Sequence, residues 1–410
     1  MRMLFKFSAY GFLKNLRFFE PFLYLFFLEN GLSFFQIGIL ISVREIFVNL
    51  FEIPTGVIAD LTGRRRAMVL SFSSYLISFT VFYVFSGFVL FLPAMILFAA
   101  GEAFRSGTHK SMILEYLDLE GRSDEQVSYY GKTRSASRLG SALSALLAAL
   151  IVYFRGNYNV VFLFTMVPYS LDLLLMLTYP RELDGSLESG RSFVVRVKEQ
   201  LGKSYNALRD TEELSKILAN ASIFDAVFKI GKDYLQPVLK AQALSLPLLL
   251  FISDKQARTA ILVGIVYFFI YLNSFVSSRS SSSFMDRVGD LPRGLNAILW
   301  IDVFALLGAG LFLELDIGFL AVLAVFVLYT LYNLRKPMVV GFLARRMESQ
   351  QRATLLSTHS QLRSVVGIVI APIFGLLADN LGVASTFLFA GSLMVATGIL
   401  LRITGSKTRG

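Results

Sequence analysis

The chain has 410 residues, 55% of them hydrophobic and 39 of them Phe, with 17% charged residues and a net charge of +10. That composition excludes a soluble domain, and basic residues that punctuate apolar runs instead of covering a solvated face exclude nucleic acid as a partner. The absence of cysteine excludes disulfides, thiol catalysis and thiolate metal sites, and His109 and His359 alone cannot build a multi-histidine centre, so no metal or cofactor is expected.

A bilayer core of about 30 Å needs about 20 mainly apolar residues per helix. Twelve runs meet this requirement, near 8–29, 35–59, 67–86, 88–116, 128–154, 158–179, 214–240, 258–284, 294–313, 316–342, 354–378 and 383–403. In the first, Lys14, Arg17 and Glu20 fall within an arc of roughly 120°; these charges and the lack of a small-residue cleavage site argue for a span over a signal peptide. The second puts Glu45, Asn49 and Glu52 within roughly 60°. Ala67 to Gly101 is uncharged and too long for one span, so it must fold back near Ser86-Gly87 into the third and fourth. The fourth then aligns Glu102, Arg105 and His109 on one stripe, and the fifth sets Arg134 and Arg138 one turn apart. The third, sixth, ninth and twelfth are almost uncharged, Asp172 and Asp302 excepted.

The one long hydrophilic segment lies between the sixth and seventh spans, where Ser192–Leu208 has the weak periodicity of an interfacial helix or belongs to a solvated connector. Beyond it, Asp225, Lys229, Lys232, Asp233 and Gln236 share a face of the seventh span. Tyr267, Tyr271, Ser274 and Ser278 line the eighth, Tyr329, Tyr332, Asn333 and Lys336 the tenth, and His359 and Arg363 follow on the eleventh. Placing the N-terminus inside puts Arg64-Arg65-Arg66, the 181–209 segment, Arg287, Arg293, Arg345-Arg346 and the basic C-terminus in the cytoplasm. The expectation is a multi-pass protein of the plasma membrane, monomeric, with both termini cytoplasmic.

The halves repeat. Asp60 and Asp286 stand 226 residues apart within Ile58-Ala59-Asp60-Leu61-Thr62-Gly63 and Phe284-Met285-Asp286-Arg287-Val288-Gly289, and Lys110-Ser111-Met112 matches Lys336-Pro337-Met338 at the same offset. Phe19-Glu20-Pro21 matches Leu235-Gln236-Pro237 at a different offset. This organisation reads as an N-terminal six-helix bundle over 1–180, a cytoplasmic connecting loop over 181–213 and a C-terminal six-helix bundle over 214–410. Duplicated halves of this kind are a transporter architecture, with the substrate site near the midplane.

Gly56-Val57-Ile58-Ala59-Asp60-Leu61-Thr62-Gly63-Arg64-Arg65-Arg66 resembles the motif that the major facilitator superfamily carries between its second and third helices. The resemblance implies an all-α membrane protein of twelve transmembrane helices in two six-helix pseudo-repeats, with helices 1, 4, 7 and 10 lining the cavity. It also implies a gating latch of Gly56, Asp60, Gly63, Arg64 and Arg65, with Glu115 or Asp118 as the acidic partner of Arg64 and the start of the eleventh helix as neighbour. The second-half copy departs from the pattern, with Ser282 for the first glycine and Asp290 where Arg64 would correspond.

Ionisable residues at membrane depth are costly and mark functional sites by default. The basic ones outnumber the acidic ones, which points to a small anionic solute as the transported partner. Arg17, Glu20, Arg105, Lys229, Asp233, Tyr271 and Tyr332 are the expected substrate contacts; Glu20, Glu102, His109 and Asp225 are the candidates for coupling to protons. Internal ion pairing is the competing account of these charges. The expected function is secondary active transport by alternating access. The alternatives are a multidrug/proton antiporter, against which the fifth span sets Gly140-Ser141-Ala142-Leu143-Ser144 in place of G-P-x-x-G, and a receptor-like or lipid-moving protein. No H-E-x-x-H, G-x-S-x-G or phosphate-cradling loop is present, so an enzyme is not expected.

Overall fold

The computed structural model describes residues 2–185, 202, 212–245, 249, 251–345 and 349–404. The helix expected over Ser192–Leu208 lies, Gly202 apart, outside them. Among the described residues the protein is all helix and turn: α1 Arg2–Lys14, α2 Leu23–Glu29, α3 Phe34–Thr62, α4 Arg64–Val84, α5 Phe88–Arg105, α6 Thr108–Leu119, α7 Gln126–Arg155 and α8 Val160–Leu177 precede the central segment. After it come α9 Glu212–Gly231, α10 Leu235–Ser245, α11 Lys255–Arg279, α12 Ser281–Val288, α13 Leu291–Glu314, α14 Gly318–Arg345, α15 Ser349–Leu381 and α16 Val383–Leu400.

Among the described residues, ten segments are long and apolar enough to cross a membrane. The first and seventh expected spans are not among them because each is broken. After Lys14 the chain leaves the helix: Asn15 turns its amide back onto the Gly11 carbonyl at 2.6 Å, and Pro21, which has no N–H to continue a ladder, sits in a short 3₁₀ turn, Glu20–Phe22, before α2. The seventh span breaks the same way, with α9 ending at Gly231 and a 3₁₀ turn, Lys232–Tyr234, leading into α10. The fourth is also divided, into α5 and α6, where Ser106 is extended and Gly107 adopts φ +75°.

The chain packs as two compact units. One comprises Met1–Leu32, Val43–Arg196 and Ala243–Tyr271; the other comprises Ser33–Ser42, Val197–Gln242 and Leu272–Gly410. Each therefore takes the first turns of a helix, α11 or α3, from the other half of the sequence. Close packing accounts for both. In the second unit a Cβ on Gly38 would meet the backbone of Ala371 and Pro372, and Asp379 accepts the backbone N–H groups of Phe34 and Phe35 at 2.8 Å each, a carboxylate on the positive end of α3. In the first unit Gly264 of α11 lies against Ala149 of α7. Small residues let helix backbones approach without a hydrophobic driving force between them.

The same device sets the inner packing of each unit. Gly140 of α7 faces the Phe12 carbonyl of α1, and Gly11 of α1 faces Thr133 and Ser137 of α7. Between α4 and α5, Ser71 and Ser78 donate to the carbonyls of Gly101 and Ala94 at 2.6 and 2.8 Å. Between α13 and α16, Gly310 receives Leu388 and Gly391 receives Leu307. One end of the first unit is filled with rings: Phe26 lies against Phe82, Phe91 and Phe162, and Phe19 against Phe79, Phe98 and Phe162, all buried.

Candidate functional site

Three helix ends bring charge into the first unit. Lys14 is the last residue of α1, Arg17 lies in the break that follows, and Arg105 ends α5. A helix C-terminus carries partial negative charge, which favours a cation there. Gly101 leaves room for the ring of Tyr75, a Cβ at this position meeting that ring at 2.9 Å, and Tyr75 in turn receives Arg105 Nε at 3.4 Å. The Tyr10 hydroxyl is a second phenol in electrostatic contact with Arg105.

Arg17 Nη2 lies 3.8 Å from Glu102 Oε1, an ion pair across helices where sequence spacing paired Glu102 with Arg105. Glu20 opens the 3₁₀ turn one turn from Arg17, its N–H bonded to the Arg17 carbonyl at 3.0 Å. His109 is buried: its ring stacks on Tyr10 with centroids 3.6 Å apart, and Nε2 lies 3.2 Å from the Tyr179 hydroxyl. Around these groups is a cavity of about 180 Å³ whose lining includes Tyr10, Lys14, Arg105, His109, Lys110 and Arg134, with no carboxylate among its lining residues. Four ammonium or guanidinium groups on one small cavity give it a positive potential, with Lys110 and Arg134 themselves exposed.

Sequence reasoning passed over Lys14 and Asp172 as site residues. Asp172 is fully buried on α8, no described donor reaches either of its oxygens, and its electrostatic partner is Lys14.

In the second unit, Asp225 Oδ2 lies 3.6 Å from His359 Nε2, and Tyr332 stacks on Phe228 with centroids 4.0 Å apart. Lys232 and Asp233 form an ion pair at 2.5 Å within the 3₁₀ turn, and Lys229 lies in the last turn of α9. The group missed here is Arg335, buried to 1% exposure, donating to Asn220 Oδ1 at 2.5 Å and lying over the Phe224 ring at 4.0 Å. Asp225, on α9, and Asp302, on α13, both buried, are its electrostatic partners. Two signals pointed to it: the isolated Asp302 on an apolar span, and the 226-residue offset that pairs Arg335 with His109. Each of these two flat groups is stacked on an aromatic ring of a neighbouring helix. Tyr271 belongs to the first unit, where its ring lies 6.1 Å from that of Tyr267.

At the motif, Arg64 Nη1 donates to Glu115 Oε2 at 3.0 Å, while Asp118 receives Ser123 at 2.5 Å. Gly63 takes φ +99°, a conformation that favours glycine, and opens α4. Asp184, past α8, accepts the Arg65 backbone N–H at 2.8 Å, a carboxylate at the start of α4 that sequence reasoning did not assign. Asp60 sits in the last turn of α3. Among the described residues nothing lies within 4 Å of a Cβ built at Gly56. In the second copy, Asp290 pairs with Arg293 at 3.4 Å.

Comparison with known proteins places these features. The sequence matches the Major Facilitator Superfamily profile over residues 7–355. It is 23% identical over 394 residues to an uncharacterized MFS-type transporter, YxaM, of Bacillus subtilis (strain 168), covering 94% of this chain and 91% of that protein. Among solved structures, the nucleoside transporter NupG superposes with a TM-score of 0.78 at 13% identity over 98% of both chains. A POT family transporter bound to a thioalcohol-conjugated peptide superposes with a TM-score of 0.72 at 15% identity, over 98% of this chain and 95% of that one. The chain belongs to the Major Facilitator Superfamily, as a multi-pass membrane transporter and not an enzyme.

Proposed function

We propose that this secondary transporter carries a small anionic solute by alternating access in the plasma membrane, coupled to protons, with two six-helix repeats and both termini in the cytoplasm. The observation that carries the reading is the cavity of the first unit, which gathers Lys14, Arg105, Lys110 and Arg134 without a lining carboxylate. Cations held in a low-dielectric space attract a counter-ion far more strongly than in water. Arg105 is the principal anchor, because it lines the cavity and its nearest partners are the phenols of Tyr75 and Tyr10, whereas Arg17 pairs with Glu102 at 3.8 Å. In the second unit Lys229, Asp233 and Tyr332 are the counterpart contacts, and Tyr271 is a further contact in the first unit.

Proton coupling draws on Glu20, Glu102, His109 and Asp225, of which Glu102 and Asp225 have a basic partner within 4 Å that an arriving anion could displace. The motif supplies the gate: Arg64–Glu115 and Asp60, with Gly56, Gly63 and Arg65, bias one facing state over the other. The test is uptake into proteoliposomes under an imposed pH gradient, with a panel of organic anions, cations and neutral solutes. Anion uptake that falls at least tenfold in Arg105→Gln is expected. Transport confined to cations or lipophilic neutrals, indifferent to Arg105→Gln, would overturn the anion reading and favour an efflux antiporter.

A further inference from the structure

One short pattern closes two helices of this chain. Gly56-Val57-Ile58-Ala59-Asp60-Leu61-Thr62-Gly63 ends α3, and Gly375-Leu376-Leu377-Ala378-Asp379-Asn380-Leu381-Gly382 ends α15, so glycine, alanine, aspartate and glycine recur at the same spacing. The last glycine of each precedes the next helix at positive φ, +99° at Gly63 and +85° at Gly382. As the second and the eleventh spans, α3 and α15 run in opposite directions, so the two patterns lie at opposite faces of a membrane.

The α15 copy has its partner in place. The first N–H groups of a helix lack acceptors within it. At the start of α3, Ser33 and Gln36 cap each other, the Ser33 N–H donating to Gln36 Oε1 at 3.0 Å and the Gln36 N–H to Ser33 Oγ at 3.2 Å. That leaves Phe34 and Phe35, and Asp379 accepts both of their N–H groups, one on each carboxylate oxygen. Gly375 makes the approach possible, because a Cβ there would collide with the backbone of Phe34 and Phe35. Gly38 against Ala371, and Ser42 Oγ donating to the Ile368 carbonyl at 2.7 Å, continue the contact over two further turns. Phe34 also stacks on Tyr234, in the 3₁₀ turn that breaks the seventh span. Asp379 is exposed, so on release its carboxylate and the two N–H groups pass to water, and the contact can be made and broken cheaply.

We propose that Asp379 is the outer latch of the transport cycle, a positioning residue that holds the start of α3 on the end of α15 while the outer side is closed and releases it when that side opens. This rests on the alternating access and the orientation proposed above. The two copies then have opposite duties. Asp60, at the end of α3, belongs to the state closed on the cytoplasmic side; Asp379, at the end of α15, belongs to the state closed on the outer side. Each sets a carboxylate near the positive end of a helix, an attraction strong enough to bias an equilibrium and weak enough to be reversed in every cycle. Tyr234 carries the outer latch to the break of the seventh span, next to Asp233, so a solute held there acts on the first turn of α3 through the Phe34 ring.

Cysteine labelling tests this without a substrate. Ser42→Cys, buried in the contact, is reacted with a maleimide in lipid nanodiscs, where both faces meet the reagent and the orientation of the chain is immaterial. Asp379→Asn in that background should raise the reaction rate by about fivefold, through loss of the charge at the helix end and of one acceptor, and Asp379→Glu should restore most of the protection. Asp60→Asn should lower the rate, and Asp60→Asn/Asp379→Asn should lie between the two single variants, a pattern that a merely structural role for Asp379 would not produce. Gly375→Ala keeps the carboxylate, wedges the helices apart and should also raise the rate; it decides the matter if Asp379→Asn fails to fold. A rate unchanged by Asp379→Asn or, where that variant does not fold, by Gly375→Ala overturns the latch, and so does a rate that Asp60→Asn raises as Asp379→Asn does. Sidedness is read separately from Ser86→Cys, exposed in the turn between the third and fourth spans, which should react with an impermeant maleimide added to intact cells. If it does not while the nanodisc results hold, the orientation fails and the latch stands at the other face.

Discussion

Gly140→Ala adds one methyl group to α7 where that helix crosses the end of α1. The new carbon would fall inside the contact radius of the Phe12 carbonyl oxygen and within 3.2 Å of its carbon and 3.3 Å of the Asn15 Cβ. Non-bonded carbons separate to about 3.5–4.0 Å, so the helices must part by on the order of 1 Å. Overpacking of this kind costs about 1–3 kcal/mol, partly offset by the ~1 kcal/mol that alanine gains over glycine in a helix. Gly131→Ala is the internal control: it lies on the same helix with nothing within 4 Å of its Cβ, and should stabilise by about 0.5–1 kcal/mol. The two variants therefore differ by about 1–3 kcal/mol, read as the order of melting midpoints of the purified proteins in one detergent. A midpoint for Gly140→Ala equal to or above that of Gly131→Ala would refute the account of this crossing. Because Lys14, Thr133 and Ser137 of the same two helices line the basic cavity, the destabilised variant should also show a raised KM for anion uptake.

Arg335→Met should destabilise by about 3–5 kcal/mol because it removes the buried guanidinium that faces Asp225 and Asp302 and donates to Asn220, and adding Asp302→Asn should recover only part of that loss; thermal unfolding of the single and double variants decides. Gly107→Ala forces an alanine to φ +75° at the break after Arg105 and should cost about 1–2 kcal/mol, with anion uptake falling as Arg105 is displaced; an unchanged midpoint would refute the strain. Asp60→Asn should increase labelling of single cysteines introduced on the cytoplasmic faces of α3 and α15, an experiment made clean by a chain that contains no cysteine of its own. Unchanged labelling would remove Asp60 from the gate.

Most helices were legible because lipid imposes a simple rule, a continuous apolar run of about 20 residues, and α3, α7, α13 and α16 match the expected spans within a few residues. The interruptions were harder to see. Asn15, Gly107 and Gly231 are visible as weak helix formers, but a break at membrane depth is tolerated only where neighbours satisfy the freed backbone groups, and those neighbours, such as Tyr169 on the Lys14 carbonyl, are remote in sequence. The charged faces told which residues turn inward without telling which of them meet. Glu102 was matched by spacing to Arg105, with which it interacts, and packing adds Arg17 at 3.8 Å from a remote helix end. Arg335 stood off the stripe of Tyr329, Tyr332 and Lys336, so helical periodicity passed over it; its partners Asn220 and Phe224 lie on α9. Gly63 and Arg64 could be placed from the motif alone, whereas Asp184 carries no local signature and acts only because the chain beyond α8 returns to the start of α4.

The rings that fill one end of the first unit have an electrical consequence. Phe19, Phe26, Phe79, Phe82 and Phe162 are buried against one another, two residues and more beyond Arg17, in an apolar layer bordered at Phe79 by the rings of Tyr75 and Tyr169. A membrane voltage falls across the driest part of its path, so much of it drops over this aromatic septum instead of along the charged cavity behind it. Each elementary charge carried through the full potential changes energy by about 2.3 kcal/mol per 100 mV. The phenylalanines thereby set how strongly the resting voltage, as distinct from the pH difference, can drive or oppose the passage of a charged group.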